Sequence, residues 1–145
     1  IDVSNYIKKL QRTVPRDIKK ALNKVSAYAA DQIHTKTSKG QKPDGGTFAR
    51  YSEQYKQSDQ FRKKTNKFVD LTFHGHMFNS LTWRVRGTTG TLFFGRKSEQ
   101  VKAYIHDTGV GKMPPRPFFA IGKNDENKIR DMFKRQIRLW ANEKI

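Results

Sequence analysis

The chain has no cysteine. That excludes disulfide cross-links and thiolate metal sites, and it fits a reducing compartment. No run of about 18 apolar residues exists, so no segment is built to span a bilayer. No signal-peptide apolar core follows Ile1. Acids are scarce: 13 Asp and Glu stand against 30 Lys and Arg in 145 residues, a formal charge of +17. They are also scattered, whereas metal-dependent phosphodiester hydrolysis calls for clustered carboxylates. There is no internal repeat and no low-complexity tail.

The hydrophobic fraction is low, 34%, but ten Phe, five Tyr and two Trp concentrate apolar area in few residues. One domain, 1–145, is therefore expected, with a small aromatic core. At this length a globule buries roughly 68–70% of its unfolded surface without cross-links. A field of +17 speaks to partners rather than to fold. Nucleic acid, an anionic membrane surface and an acidic protein are the candidates.

Periodicity predicts α+β. A short helix over 4–12 ends at Val14-Pro15, and a second starts there, with Ile18, Leu22, Val25, Ala29 and Ile33 as its apolar stripe. Lys8, Arg12, Arg16, Lys20 and Lys24 make this helical part, 1–34, a basic amphipathic unit. A long basic loop region follows over 35–67. Within it Phe48, Tyr51 and Tyr55 suit one side of a short helix, and Arg62, Lys63, Lys64 and Lys67 a mobile connection.

A β-rich core is expected over 68–122. Leu81, Trp83 and Val85 alternate with Thr82, Arg84 and Arg86, Gly87 to Gly90 turns the chain, and Thr91 to Phe94 returns it. The expected sheet is this hairpin, about 80–95, plus a strand at about 117–121. Residues 98–106 suit a helical turn or two, with Val101, Tyr104 and Ile105 buried. A last helix over 124–143, capped by Asn124 or Asp125, buries Ile129, Met132, Phe133, Ile137 and Trp140. Arg130, Lys134 and Arg138 form a cationic flank beside that stripe. The N-terminal and C-terminal helices are expected to pack the small antiparallel sheet.

The most unusual punctuation is residues 106–119, His-Asp-Thr-Gly-Val-Gly-Lys-Met-Pro-Pro-Arg-Pro-Phe-Phe. Gly109 and Gly111 permit tight turning. Pro114, Pro115 and Pro117 then stiffen an arm over 109–117 that carries Arg116 into the apolar Phe118. Arg116 has two readings, an anchor to a neighbouring subunit or a tie to its own.

Other constellations are weaker. His74-Gly-His76 offers two imidazoles but no well-placed third ligand. His106-Asp107 is read as structural, across the Gly109 turn, rather than as an acid–base pair. Gly90 to Ser98 fails as a phosphate loop, since Lys97 comes one residue late and Leu-Phe-Phe reads as strand. The basic rows favour a polyanion over bulk water because acids are too few to neutralise them. No base-reading module is visible, so contact with duplex DNA would be to phosphates, sequence-independent and salt-sensitive.

Four segments in order resemble one family. They are Lys42-Pro43-Asp44-Gly45-Gly46-Thr47-Phe48 with Tyr51-Ser52-Glu53-Gln54-Tyr55; Val69-Asp70-Leu71 with Gly75 to Leu81; Ala103 to Gly109; and Met113-Pro114-Pro115-Arg116-Pro117-Phe118-Phe119. Together they resemble the tailed-phage virion morphogenesis proteins, also called tail-completion or head–tail joining proteins. The second segment departs most, because Phe73-His74 intervene where the family usually has Thr-Gly. The resemblance implies a structural, non-enzymatic virion protein of the neck, assembled in the host cytoplasm, with no catalytic, cofactor or metal residues. It implies a homo-oligomeric ring, hexameric or else twelve-fold, around the DNA path. Connector or portal proteins would lie on one side and tail-tube or tail-terminator proteins on the other. The expected inter-subunit arm is Gly109, Gly111, Met113, Pro114, Pro115, Arg116, Pro117 and Phe118. The expected polyanion-facing set is Lys8, Arg12, Arg16, Lys20, Lys24, Arg130, Lys134 and Arg138. The alternatives are a stand-alone, sequence-independent nucleic-acid-binding domain and, less favoured, a metal-dependent nuclease.

Overall fold

The structure, a computed structural model, describes residues 3–72 and 75–142, with side chains from Val14 onward. The chain folds as α+β around one long helix, α1, Val3–Ser38. Of the predicted stripe Val25, Ala29 and Ile33 are buried and Ile18 and Leu22 half-buried, while Ala21, which the stripe did not include, is buried beside them. The expected break at Val14-Pro15 is absent, and Pro15 lies exposed inside the helix. Its fixed φ is itself helical, so the chain loses one hydrogen bond and crowds one carbonyl, a cost of about 3 kcal/mol, without having to turn. The helix also runs past the predicted end of 34, and Thr37 is among the most buried side chains.

The segment beyond α1 is more ordered than its composition suggests. Gln41 pairs with Thr47 in an isolated bridge. Two short helices follow, α2 (Glu53–Lys56) and α3 (Asp59–Lys63), capped by the hydroxyls of Ser52 and Ser58. Phe48 and Tyr51 precede both, so the three aromatics do not share one helix face, and Phe48 is buried in the core instead. A third short helix, α4 (His76–Asn79), leads into the hairpin of β1 (Leu81–Arg86) and β2 (Thr89–Phe94). Its register runs from Leu81↔Phe94 to Arg86↔Thr89. The turn is therefore shorter than expected, Gly87-Thr88 alone. Gly87 at φ +54 occupies the first loop position, where a positive φ matches the twist of the flanking strands.

The sheet among the described residues has two strands, not three. Phe118 to Ile121 do not form a strand. Pro117 has no N–H to give, and the N–H groups of Phe118 and Phe119 both donate to Asp107 Oδ1, at 2.9 and 3.0 Å. No backbone donor is left at these two positions for a strand partner. Residues 98–106 form more than a turn or two, being most of α5, Lys97–Thr108. Its buried side chains are Glu99 and Ala103, while Val101 and Tyr104 are exposed and Ile105 is half-buried.

The last helix, α6 (Lys123–Asn142), packs along α1. Ile129, Met132, Phe133, Ile137 and Trp140 lie half-buried on its inner side. Asn124 and Asp125 fall within the first turn rather than capping it, and the buried Asp125 pairs with Lys36 in the last turn of α1. Each charge there sits at the helix end whose dipole favours it. The hairpin covers another side of α1, where Trp83 Nε1 donates to Asn23 Oδ1 at 3.2 Å.

The core is small and aromatic, as the composition implied. Ile33, Phe48, Val69, Met77, Phe78, Phe94, Ala103 and Phe118 form one cluster. Phe118, 1% exposed, meets Phe78 edge-on at 5.8 Å and Phe94 at 6.3 Å.

Candidate interaction surfaces

The Gly/Pro arm begins at the end of α5. Gly109 takes φ +74, and a Cβ there would stand 2.7 Å from Met113 O and 2.8 Å from Pro115 N. Only glycine fits, on both conformational and steric grounds. The arm then folds back on its own chain. Met113 N donates to Val110 O at 3.0 Å, and Arg116 N to His106 O at 2.8 Å. What bonds across the Gly109 turn at His106 is thus its carbonyl. The imidazole Nδ1 is buried without a partner, and burial first, then Arg116, pushes the ring's pKa down.

Arg116 is buried, at 4% exposure. Its Nε donates to Ala49 O at 3.0 Å and a terminal nitrogen to Arg50 O at 3.2 Å. The guanidinium also lies 5.4 Å from the centre of the Tyr51 ring. Of the two readings of Arg116, the structure supplies the contacts for the tie to its own chain. Phe118 is buried as well. Gly111, Met113, Pro114, Pro115 and Pro117 are exposed, with Val110 and Lys112 between them, and Gly109 is half-buried. The arm therefore presents a tip, 110–115, held from beneath by Arg116 and Phe118.

Opposite the tip stands an aromatic group built from Tyr51, just ahead of α2, Tyr55 within it and Phe61 of α3. Tyr51 lies 4.9 Å from Tyr55 and 5.7 Å from Phe61. Burial raises the Tyr51 hydroxyl to about 12, with the nearby Asp70 charge adding to the effect. Lys64 is not part of a mobile connection. Its side chain is 4% exposed and its Nζ pairs with Asp70 Oδ1 at 2.6 Å, while also donating to Thr72 O. Asp70 further accepts from Thr72 N at 3.0 Å and Asn66 Nδ2 at 3.2 Å. Lys67 likewise donates to the carbonyls of Phe61, Arg62 and Lys64. The signal missed was Asp70 six residues on, an acid spaced to fold the basic run back on itself. Between this group and the arm tip lies a cleft of about 370 Å³.

The cationic rows are placed as follows. Arg16, Lys20 and Lys24 are exposed on α1, and Arg130, Lys134 and Arg138 are exposed on α6. Arg130 reaches Glu126 at 3.2 Å and Arg16 stands 4.0 Å from Asp17. Lys20, Lys24, Lys134 and Arg138 have no ion pair among the described residues. The side chains of Lys8 and Arg12 lie outside the described residues, as does His74. His76 is exposed on α4, and no group of three His, Asp or Glu side chains able to hold a metal comes together among the described residues. No described helix is long and apolar enough to cross a membrane.

A helix-framed hairpin with a folded Gly/Pro arm and two exposed basic rows has no constellation specific to one chemistry, so kinship carries the class. The chain belongs to the phage virion morphogenesis family, whose sequence profile matches residues 2–138. Membership fits a virion-associated protein with a structural or assembly role in a bacteriophage. Searches of curated proteins and of solved structures return no match.

Proposed function

We propose that the protein is a structural component of a tailed-phage neck: a tail-completion, head–tail joining subunit that forms a ring around the DNA channel between connector and tail. The observation that carries this beyond family membership is the pair of exposed basic rows on α1 and α6, in a chain of net charge +17. A surface of that sign, with so few acids to neutralise it, suits the wall or rim of a conduit for duplex DNA. The contacts would be to phosphates and indifferent to sequence. The arm tip, 110–115, is exposed yet braced from beneath, which suits the projecting half of a head-to-tail ring interface. Hexameric closure is the preferred stoichiometry, and the subunit acts without catalysis.

Native mass spectrometry tests the ring. The full chain, alone or with connector and tail partners, is expected as a closed oligomer. The tip variant Val110→Glu, at an exposed position, is expected to stay folded and lose it. A strict monomer under all these conditions would instead favour a free-standing nucleic-acid-binding domain.

A further inference from the structure

The cleft between the arm tip and the Tyr51 group has an unbalanced lining. Its apolar wall is Tyr51, Tyr55, Leu71, Met113 and Pro114. Its charged lining is Lys64, Lys112 and Arg116, with no acid among the lining residues. Lys64 is neutralised by Asp70. Arg116 is not: it is 4% exposed and bonds only to carbonyls and a ring face among the described residues. A buried guanidinium without a carboxylate is costly, and carbonyls and an aromatic face offset part of that cost. Lys112, exposed at the mouth, has no ion pair among the described residues either. At about 370 Å³ the space falls at the lower end of the roughly 300–1,000 Å³ typical of ligand sites, room for one or two side chains.

We propose that this cleft is a docking site for an acidic peptide segment of a partner protein, one that sets an aromatic or aliphatic side chain against Tyr51 and Met113 and a carboxylate toward Lys112 and Arg116. Charge complementarity selects that occupant, because the lining offers uncompensated cations and no anion. A foreign partner fits better than a second copy. A second copy carries the same excess of +17, and three of the six acids exposed among the described residues are already engaged, Glu53 with Lys56, Asp59 with Arg62, and Glu126 with Lys123 and Arg130. The inference does not require the ring, but Lys112 and Met113 belong to the tip assigned to the ring interface, so the oligomeric state of each variant is measured beside its peptide binding.

Isothermal titration calorimetry of the full chain uses three short peptides as probes: acetyl-Asp-Phe-Asp-Leu-amide, the equally charged acetyl-Asp-Gly-Asp-Gly-amide, and acetyl-Lys-Phe-Lys-Leu-amide. The first is expected to bind at least about tenfold more tightly than the second, and the third not at all. Lys112→Glu and Met113→Asp, both at exposed positions, should each weaken the first peptide by about tenfold. Lys128→Glu, at an exposed position on α6 outside the basic row, should change it by less than about twofold. Equal binding of the two acidic peptides, or equal loss in Lys128→Glu and Lys112→Glu, would reduce the effect to bulk surface charge and overturn the proposal. So would a closed oligomer that the first peptide dissociates, because the occupant of the cleft would then be a second copy.

Discussion

Asp107 Oδ1 accepts the amide of Phe118 at 2.9 Å, so a carboxylate in the last turn of α5 supplies what a neighbouring strand was expected to supply. The same oxygen takes Phe119 N at 3.0 Å. Together with the bond from Arg116 N to His106 O, this atom joins the end of the Pro-rich arm to α5 and helps hold Phe118 in the core. Hydrogen bonds to a charged group each contribute about 1.5–3 kcal/mol, and two N–H groups share this one. Asp107→Ala is expected to lower stability by about 3 kcal/mol in urea titration. Asp107→Asn, which keeps an acceptor oxygen, should lose less than half as much; equal losses would show that the acceptor role is misassigned.

Lys64 and Asp70 form a buried pair, with side chains 4% and 5% exposed. Removing one partner strands a charge, typically at a cost of about 3–5 kcal/mol, whereas replacing both by apolar groups is often neutral. Asp70→Ala should therefore destabilise strongly. The double change Lys64→Met with Asp70→Leu should recover most of that loss, as read from urea midpoints. A double variant as weak as the single one would mean that Asp70 matters through Thr72 and Asn66 instead.

His106 gives the fold a pH dependence. Its folded-state pKa is depressed by burial and by Arg116, so the unfolded chain binds the proton more readily. Stability from this group is then full above the unfolded value, about 6.5, and is lost as pH falls toward the lower folded value. The slope is at most about 1.4 kcal/mol per pH unit. Thermal melts between neutral pH and mild acid should show this loss, and His106→Gln should remove it while the rest of the acid transition remains. An unchanged slope in the variant would assign the loss to other groups.

For the basic rows, duplex DNA binding should weaken steeply with salt, by about 0.9 log units per tenfold salt for each phosphate contacted. Lys20→Glu with Lys24→Glu, and separately Lys134→Glu with Arg138→Glu, should each flatten that slope without altering sequence preference. If neither pair moves the slope, these rows face acidic protein rather than DNA.

Much of this fold was legible in the chain. The stripe from Ile18 to Ile33, the alternation from Leu81 to Arg86 and the stripe from Ile129 to Trp140 each report burial at the period of their element. The departures share a cause: a side chain substituted for a backbone partner, or a single local penalty was too small to break an element. Asp107 took the donors that would have made a third strand. Pro15 costs one hydrogen bond in a helix whose downstream stripe remains buried. Asp70 turned a basic run inward, and periodicity cannot register an ion pair six residues apart in a loop. At α5, Val101 and Tyr104 read as core by type, while the face that packs is Glu99 and Ala103. The arm was recognisable from its Gly and Pro punctuation, but only the geometry shows that Arg116 holds it from within and leaves the tip outside.

Imaging assembled particles by electron microscopy, with a bulky label fused to this subunit, tests the proposed neck role most directly. The label is expected as a ring of density at the junction between head and tail, centred on the DNA path. Label at the distal tip of the tail, on the capsid shell, or missing from finished particles would contradict it.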